Sequence, residues 1–335
     1  MAIHTTLTEA FGLEYPIVLA PMNGIAGGRL AAAVCNAGGL GLVGGGYGDP
    51  VWLQRELALV QAETERPWGV GLITWHASRE VVDLALRYHP AVFLLAFGDV
   101  GLYAPAIKAA GCTLLCQVQG VEMAREAVAA GADLIVAQGS EAGGHGAAGH
   151  ATFPLVPAVV DAVAPIPVLA AGGIADGRGL AAALTLGSQG VMIGTRFAAA
   201  TESLMHQRAK AQIVTARAAD TARTQVFDII RELSWPEPYN GRAVRNRFFT
   251  RWHGRERELA AALETELPTY QRAVAQADFD TAVIFAGESV ELIDAVVSAA
   301  ELVQRIGAEA ETQLRRVVAL LTEPPEDQED TLVAR

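Results

Sequence analysis

Eight short apolar runs recur along the first 200 residues: PIVLAPM (16–22), LGLVGGG (40–46), WGVGLIT (68–74), AVFLLAF (91–97), TLLCQV (113–118), LIVAQG (134–139), PVLAAGG (167–173) and VMIGTRF (191–197). They are apolar on both faces, as parallel strands covered by helices are. Between them lie helical patterns such as VWLQRELALVQAETE and GVEMAREAVAAG, several ending on glycine where a helix C-terminus takes positive φ. Strand and helix alternating at this spacing make right-handed βαβ units. Eight of them predict an α/β fold of the closed (β/α)₈ TIM barrel type, ahead of an open doubly wound sheet.

The pattern changes after the eighth run. Residues 202–275 read as helical and charged around a Trp/Pro/Arg-rich stretch, SWPEPYNGRAVRNRFFTRWHG, and are too long for a barrel loop. They predict a helical lid or insertion subdomain, carrying Trp235, Trp252 and an Arg cluster, that covers the barrel mouth. The barrel is then made of 1–201 and 276–325, the latter returning through AVIFAGESVELIDAVVSAAELVQRI, while the acidic stretch 324–335 predicts a disordered tail.

The net charge of −12 argues against nucleic-acid and anionic-membrane partners. Cys35, Cys112 and Cys116 show neither CxxC nor Cys/His spacing, so no disulfide framework or metal site is expected. The N-terminus lacks the basic start and apolar run of a secretion signal, and no apolar segment is long enough to span a bilayer. A cytoplasmic protein is the expectation.

In a barrel, the C-terminal ends of the strands build the active site. Here that rim is glycine-rich and short of charge, which suits a flat or extended ligand and leaves carboxylate-pair chemistry little to work with. AAGGIADGRG and IGTRF each set backbone N–H groups beside a helix start, at the two strands where barrels commonly bind phosphate; tight βα turns alone would read the same way. AQGSEAGGHGAAGH (137–150) holds five glycines, a freedom a chain spends where something lies close to its backbone. His145 in that loop is the candidate acid–base group, with His150 and His76 its rivals at the rim. Glu141 is expected to cap a loop amide, and Cys35 and Cys116 to be core residues.

These residues also carry a resemblance. APMNGIAGG with NAGGLGLVGGG, AQGSEAGGHGA, and PVLAAGGIADGRGLAAALTLGSQGVMIGTRF resemble the nitronate monooxygenase family, formerly the 2-nitropropane dioxygenases, over residues 10–205, with a weaker echo at FAGES (285–289). The resemblance implies a barrel holding non-covalent FMN. Met22, Asn23 and Gly24 would line the isoalloxazine, and Gln138 and Gly143 would contact the flavin. Gly172, Gly173, Gly194 and Thr195 would hold the ribityl phosphate. His145 matches the family's catalytic histidine.

The implied reaction oxidises alkyl nitronates, such as propionate 3-nitronate, with O₂ to a carbonyl compound and nitrite, on a monomer or a homo-oligomer. Two positions depart from the family pattern and leave the substrate open. Gly71 stands where many members have the Asn of a GVN segment, and Gln117 where many have a lysine. The FMN-dependent enoyl-ACP reductases share the EAGGH motif and would use NAD(P)H; a flavin-binding module without turnover is the remaining alternative.

Overall fold

The computed structural model describes residues 3–321, so the expected acidic tail at 324–335 lies outside the described residues. Its strands are β1 (Ile17–Leu19), β2 (Gly41–Gly46), β3 (Trp68–Ile73), β4 (Val92–Ala96), β5 (Thr113–Val118), β6 (Leu134–Gln138), β7 (Gly144–Ala147), β8 (Val168–Ala171), β9 (Val191–Ile193), β10 (Thr221–Thr224) and β11 (Tyr239–Val244). Each of the eight apolar runs contains one strand of a single eight-stranded sheet, in the order β1-β9-β8-β6-β5-β4-β3-β2. Its pairings are all parallel, and Val18 bridges Leu40 to bring the two ends together. There Leu19 N–H donates to the Leu40 carbonyl at 2.9 Å, and Leu40 N–H to the Ile17 carbonyl at 2.9 Å. The sheet is a TIM barrel.

Successive residues of each strand serve two different cores. Val18, Leu42, Leu94, Val136, Leu169 and Met192 fill the barrel interior. Their neighbours Leu19, Val43, Phe93, Leu95, Ile135 and Ile193 face outward into the layer beneath the helices. Both faces are dry, which is why the strands show no polar alternation.

The segment 202–275 contains more than helices. Besides the helices Gln207–Thr215, Val226–Ile230, Arg247–Trp252, Glu256–Ala261 and Leu263–Ala275, it holds β10 and β11. β11 pairs antiparallel with β10 on one side and with β7, from the loop after the sixth barrel strand, on the other. The insert thus takes main-chain hold of the barrel's glycine loop. It also has a core of its own, a buried cluster that includes Phe227, Phe249, Trp252, Leu259 and Tyr270. Trp252 is therefore packing inside the insert and does not face the mouth. The chain then returns to the barrel, where helix Ala299–Val318 lies against helix Gly177–Thr185 and the Glu309 carboxylate accepts the Gly177 N–H at 3.0 Å.

Some contacts admit no side chain. Helix Gly28–Asn36 lies so near β2 that a Cβ at Gly41 would stand 2.0 Å from the Ala31 carbonyl oxygen. Because the obstacle is backbone, Gly41→Ala must push the helix off the sheet, at a cost of about 1–3 kcal/mol. A lowered urea midpoint is the expected result; an unchanged one would show that the helix can shift freely.

Candidate active site

The C-terminal ends of the barrel strands open into a cavity of about 220 Å³. Of the residues expected to hold a flavin, Met22, Asn23, Gln138, Gly143, Gly172, Gly173, Gly194 and Thr195 all line it. Gly24 does not. It is the exposed third position of a turn closed by Ile25 N–H on the Met22 carbonyl at 3.1 Å, and its φ of 66° serves that turn.

One end of the cavity offers amides. Gly172 and Gly173 have φ of 100° and 72°. Their N–H groups and that of Thr195 have no protein acceptor among the described residues. The following helix does not add to this set, because the Asp176 carboxylate accepts the Arg178 and Gly179 N–H groups at 3.0 and 3.1 Å. Thr195 Oγ1 accepts the Gly287 N–H at 3.0 Å, so its own proton is free to be donated. At Gly194, φ of −103° would suit any residue, and a Cβ there would meet nothing nearer than 3.7 Å. The missing side chain leaves room in the cavity and serves no packing contact. With no Asp or Glu among the lining residues, this end suits a phosphate.

His145 lies on β7, opposite Gly241 of β11. Its Nε2 is 2.9 and 3.0 Å from the two carboxylate oxygens of Asp228, on helix Val226–Ile230. The two side chains are only 8% and 6% exposed. An ionised carboxylate can only accept, so Nε2 carries the proton and Nδ1 is the basic nitrogen of the neutral ring. Trp235 stacks on the imidazole with centroids 3.6 Å apart and planes 5° from parallel, and Phe285 lies 5.2 Å away. Burial lowers the His145 pKa below its ordinary 6.5; Asp228 opposes that shift, and the Arg231 and Arg223 charges add to it. The ring is neutral at pH 7, as a base must be.

The loop around it is clamped. Arg223, on β10, donates to the carbonyls of Gly146, Asn240 and Ser140 at 2.9, 3.0 and 3.1 Å. Arg242, on β11, donates to Ser140 at 3.2 Å and pairs with Glu288 at 3.0 Å. Burial brings Arg223 down to about 10, which leaves it charged. Glu141 accepts the Thr152 N–H at 2.9 Å and hydroxyl at 3.0 Å, a cap on helix Thr152–Val163.

The rival histidines lie elsewhere. His76 and His150 are exposed and do not line the cavity; His76 Nδ1 sits 2.7 Å from the Tyr47 carbonyl. The thiols of Cys35 and Cys116 are buried in the core, where burial pushes their pKa values up to about 11 and about 12.

Both departures from the family pattern fall in the lining. A Cβ at Gly71 would stand 2.4 Å from Pro21 Cγ, so an Asn here would have to displace that ring. Gln117 donates to Gln138 Oε1 at 3.2 Å, and Gln138 Nε2 reaches the His145 carbonyl at 3.3 Å. The residues that sequence reasoning missed are Asp228, Arg231 and Tyr47. Only Asp228 left a signal, as a lone acid inside the apolar stretch VFDII.

A family model described as nitronate monooxygenase matches residues 4–89 and 76–309. A nitronate monooxygenase of Neurospora crassa is 33% identical over 348 residues, covering 90% of this chain and 91% of that protein. An octahydroindene-carboxyl-CoA dehydrogenase of Mycobacterium tuberculosis is 38% identical over 231 residues, covering 68% of this chain but only 65% of that protein. Among solved structures, FabK from Thermotoga maritima superposes with a TM-score of 0.85 at 32% identity, over 96% of this chain and all (100%) of that one. A nitroalkane oxidase from Streptomyces ansochromogenes superposes with a TM-score of 0.79 at 28% identity, over 93% of this chain and 99% of that one.

The Asp228 contact sets a direction that can be measured. Removing its charge takes away the group that favours the imidazolium, so the His145 pKa should fall further in Asp228→Asn. In ¹⁵N-histidine NMR, His145 is expected to titrate below 6.5 in the parent protein and lower still in the variant. A rise in the variant would contradict the pairing.

Proposed function

The chain belongs to the nitronate monooxygenase family, and from that premise we propose that it binds FMN and oxidises small alkyl nitronates with O₂ to a carbonyl compound and nitrite. The observation that carries this reading is the neutral, buried imidazole of His145, fixed through Nε2 by Asp228 and lining the same cavity as the partnerless amides. A bound flavin would supply the electron acceptor. Gly172, Gly173 and Thr195 would hold its phosphate, and Met22, Asn23, Gln138, Gly143 and Gly194 would line its remainder. Its ring is the flat ligand for which the glycine rim leaves room.

His145 Nδ1 would take the proton from the carbon of a neutral nitroalkane, and the imidazolium so formed is stabilised by the Asp228 carboxylate. With a preformed nitronate there is no carbon-bound proton to remove, and the ring would anchor the anion only when it carries a proton on Nδ1 as well. The insert 202–275 would cover the mouth, because Arg231 and Trp235 belong to both the insert and the cavity wall.

His145→Ala should fold and retain FMN, identified by mass spectrometry of the released cofactor. Anaerobic flavin reduction by nitronates and nitroalkanes should slow at least about tenfold, the low end of what a positioned acid–base group supplies. Reduction at the parent rate would remove His145 from the chemistry. Bleaching by NADPH but by no nitronate would favour the enoyl-ACP reductase alternative.

A further inference from the structure

The one charged side chain among the described residues lining the active-site cavity is Arg231, and no carboxylate lines that cavity to answer it. Arg231 extends from just beyond helix Val226–Ile230 and is 23% exposed. Its nearest carboxylate oxygen, Asp228 Oδ1, is 3.9 Å from Nη2, beyond hydrogen-bond reach. That carboxylate already holds His145 Nε2 at 2.9 and 3.0 Å. The single side-chain hydrogen bond of the guanidinium among the described residues runs from Nη2 to the Tyr47 hydroxyl oxygen at 3.1 Å. Its other N–H groups remain to be satisfied.

Tyr47 is in a complementary position. Its oxygen accepts twice, from Arg231 at 3.1 Å and from Trp235 Nε1 at 3.0 Å, and its ring lines the cavity. A hydroxyl that accepts two hydrogen bonds still has its own proton to donate. No acceptor for that proton is found among the described residues. Burial raises the Tyr47 pKa, so the proton stays on. A guanidinium whose one carboxylate contact among the described residues is the 3.9 Å pairing with Asp228 thus lies beside an O–H that lacks an acceptor, the first against the Phe285 ring and the second against the Trp235 ring.

We propose that Arg231 and Tyr47 form a receptor for a carboxylate carried by the substrate, at a point on its chain away from the reacting carbon. The two ends are separate because Arg231 lies on the Asp228 side of the imidazole, whereas the reacting carbon must approach the opposite ring nitrogen, Nδ1. Desolvated on one side by aromatic rings, the guanidinium favours a compact oxyanion over water or a neutral tail. The pair would then account for a preference for short nitro acids, of which propionate 3-nitronate is one, over simple nitroalkanes. That class rests on the nitronate reading above; the receptor does not.

Two measurements keep the claims apart. In ligand-observed NMR on the purified protein, sodium propionate should bind and isosteric propionamide should not. Arg231→Met should abolish the difference, while Arg231→Lys, which keeps the charge, should retain part of it. Equal binding of propionate and propionamide to the parent protein would overturn the receptor, whatever the enzyme turns over. In steady-state kinetics, Arg231→Met and Tyr47→Phe should each raise KM for propionate 3-nitronate more than for 1-propyl nitronate. For Arg231→Met the excess should be about 10–100-fold, the scale of a hydrogen-bonded charge contact. Equal losses on both substrates would mean that Arg231 holds the reacting group itself, and would likewise overturn the proposal. Selective propionate binding without turnover of any nitronate would sink the nitronate reading and leave the receptor standing.

Discussion

The chemistry of this protein hangs on a short main-chain pairing. Gly144–Ala147 has no large side chain except His145, yet it runs as a strand because Tyr239–Arg242 lies antiparallel beside it. Ordering a backbone costs about 1–2 kcal/mol per residue, and glycine loses more freedom than any other residue. A loop with five glycines between 137 and 150 would not hold an imidazole in one place unaided. The pairing does so, together with the two arginines that reach back to the Ser140 carbonyl. Because β11 and Asp228 come from the same insert, the order of the loop and the tautomer of His145 depend on one element.

The barrel and the insert therefore divide the site by chemical kind. The barrel contributes backbone: amides at Gly172, Gly173 and Thr195, and the open space beside Gly194. The insert contributes side chains: Asp228 against the imidazole, Trp235 stacked on it, and Arg231 in the wall. The FAGES segment joins the two, since Phe285 bridges to Ala243 of β11 while Gly287 bonds Thr195. A rim poor in charge makes each charge that enters it count for more. One buried carboxylate selects which nitrogen of His145 is basic, and one guanidinium sets the sign of the wall.

The barrel was legible because its strands are dry on both faces, a local pattern that each run displays by itself. The cavity-lining glycines were legible for a related reason, as backbone at the ends of those strands. Gly24 falls outside the lining, because a glycine that makes a turn and one that lines a cavity look alike in sequence. The partners of His145 were not legible. Asp228 is 83 residues further along the chain, and nothing local to VFDII says which ring it will meet. Reading 202–275 as helical missed β10 and β11, since TART and YNGRAV are short and lie among charged helical stretches. Trp235 and Trp252 sit in the same Trp/Pro/Arg-rich stretch, but only packing decides that one stacks on the imidazole and the other fills the insert's core.

Hydrogen–deuterium exchange tests most directly whether the insert holds the loop. The peptide covering Gly144–Ala147 should exchange slowly, matching the peptide covering Tyr239–Val244. In Arg223→Met the two should lose protection together while β4 and β5 keep theirs. Complete exchange of 144–147 at the earliest time point in the parent protein, with the barrel strands still protected, would contradict this and leave His145 on a free loop.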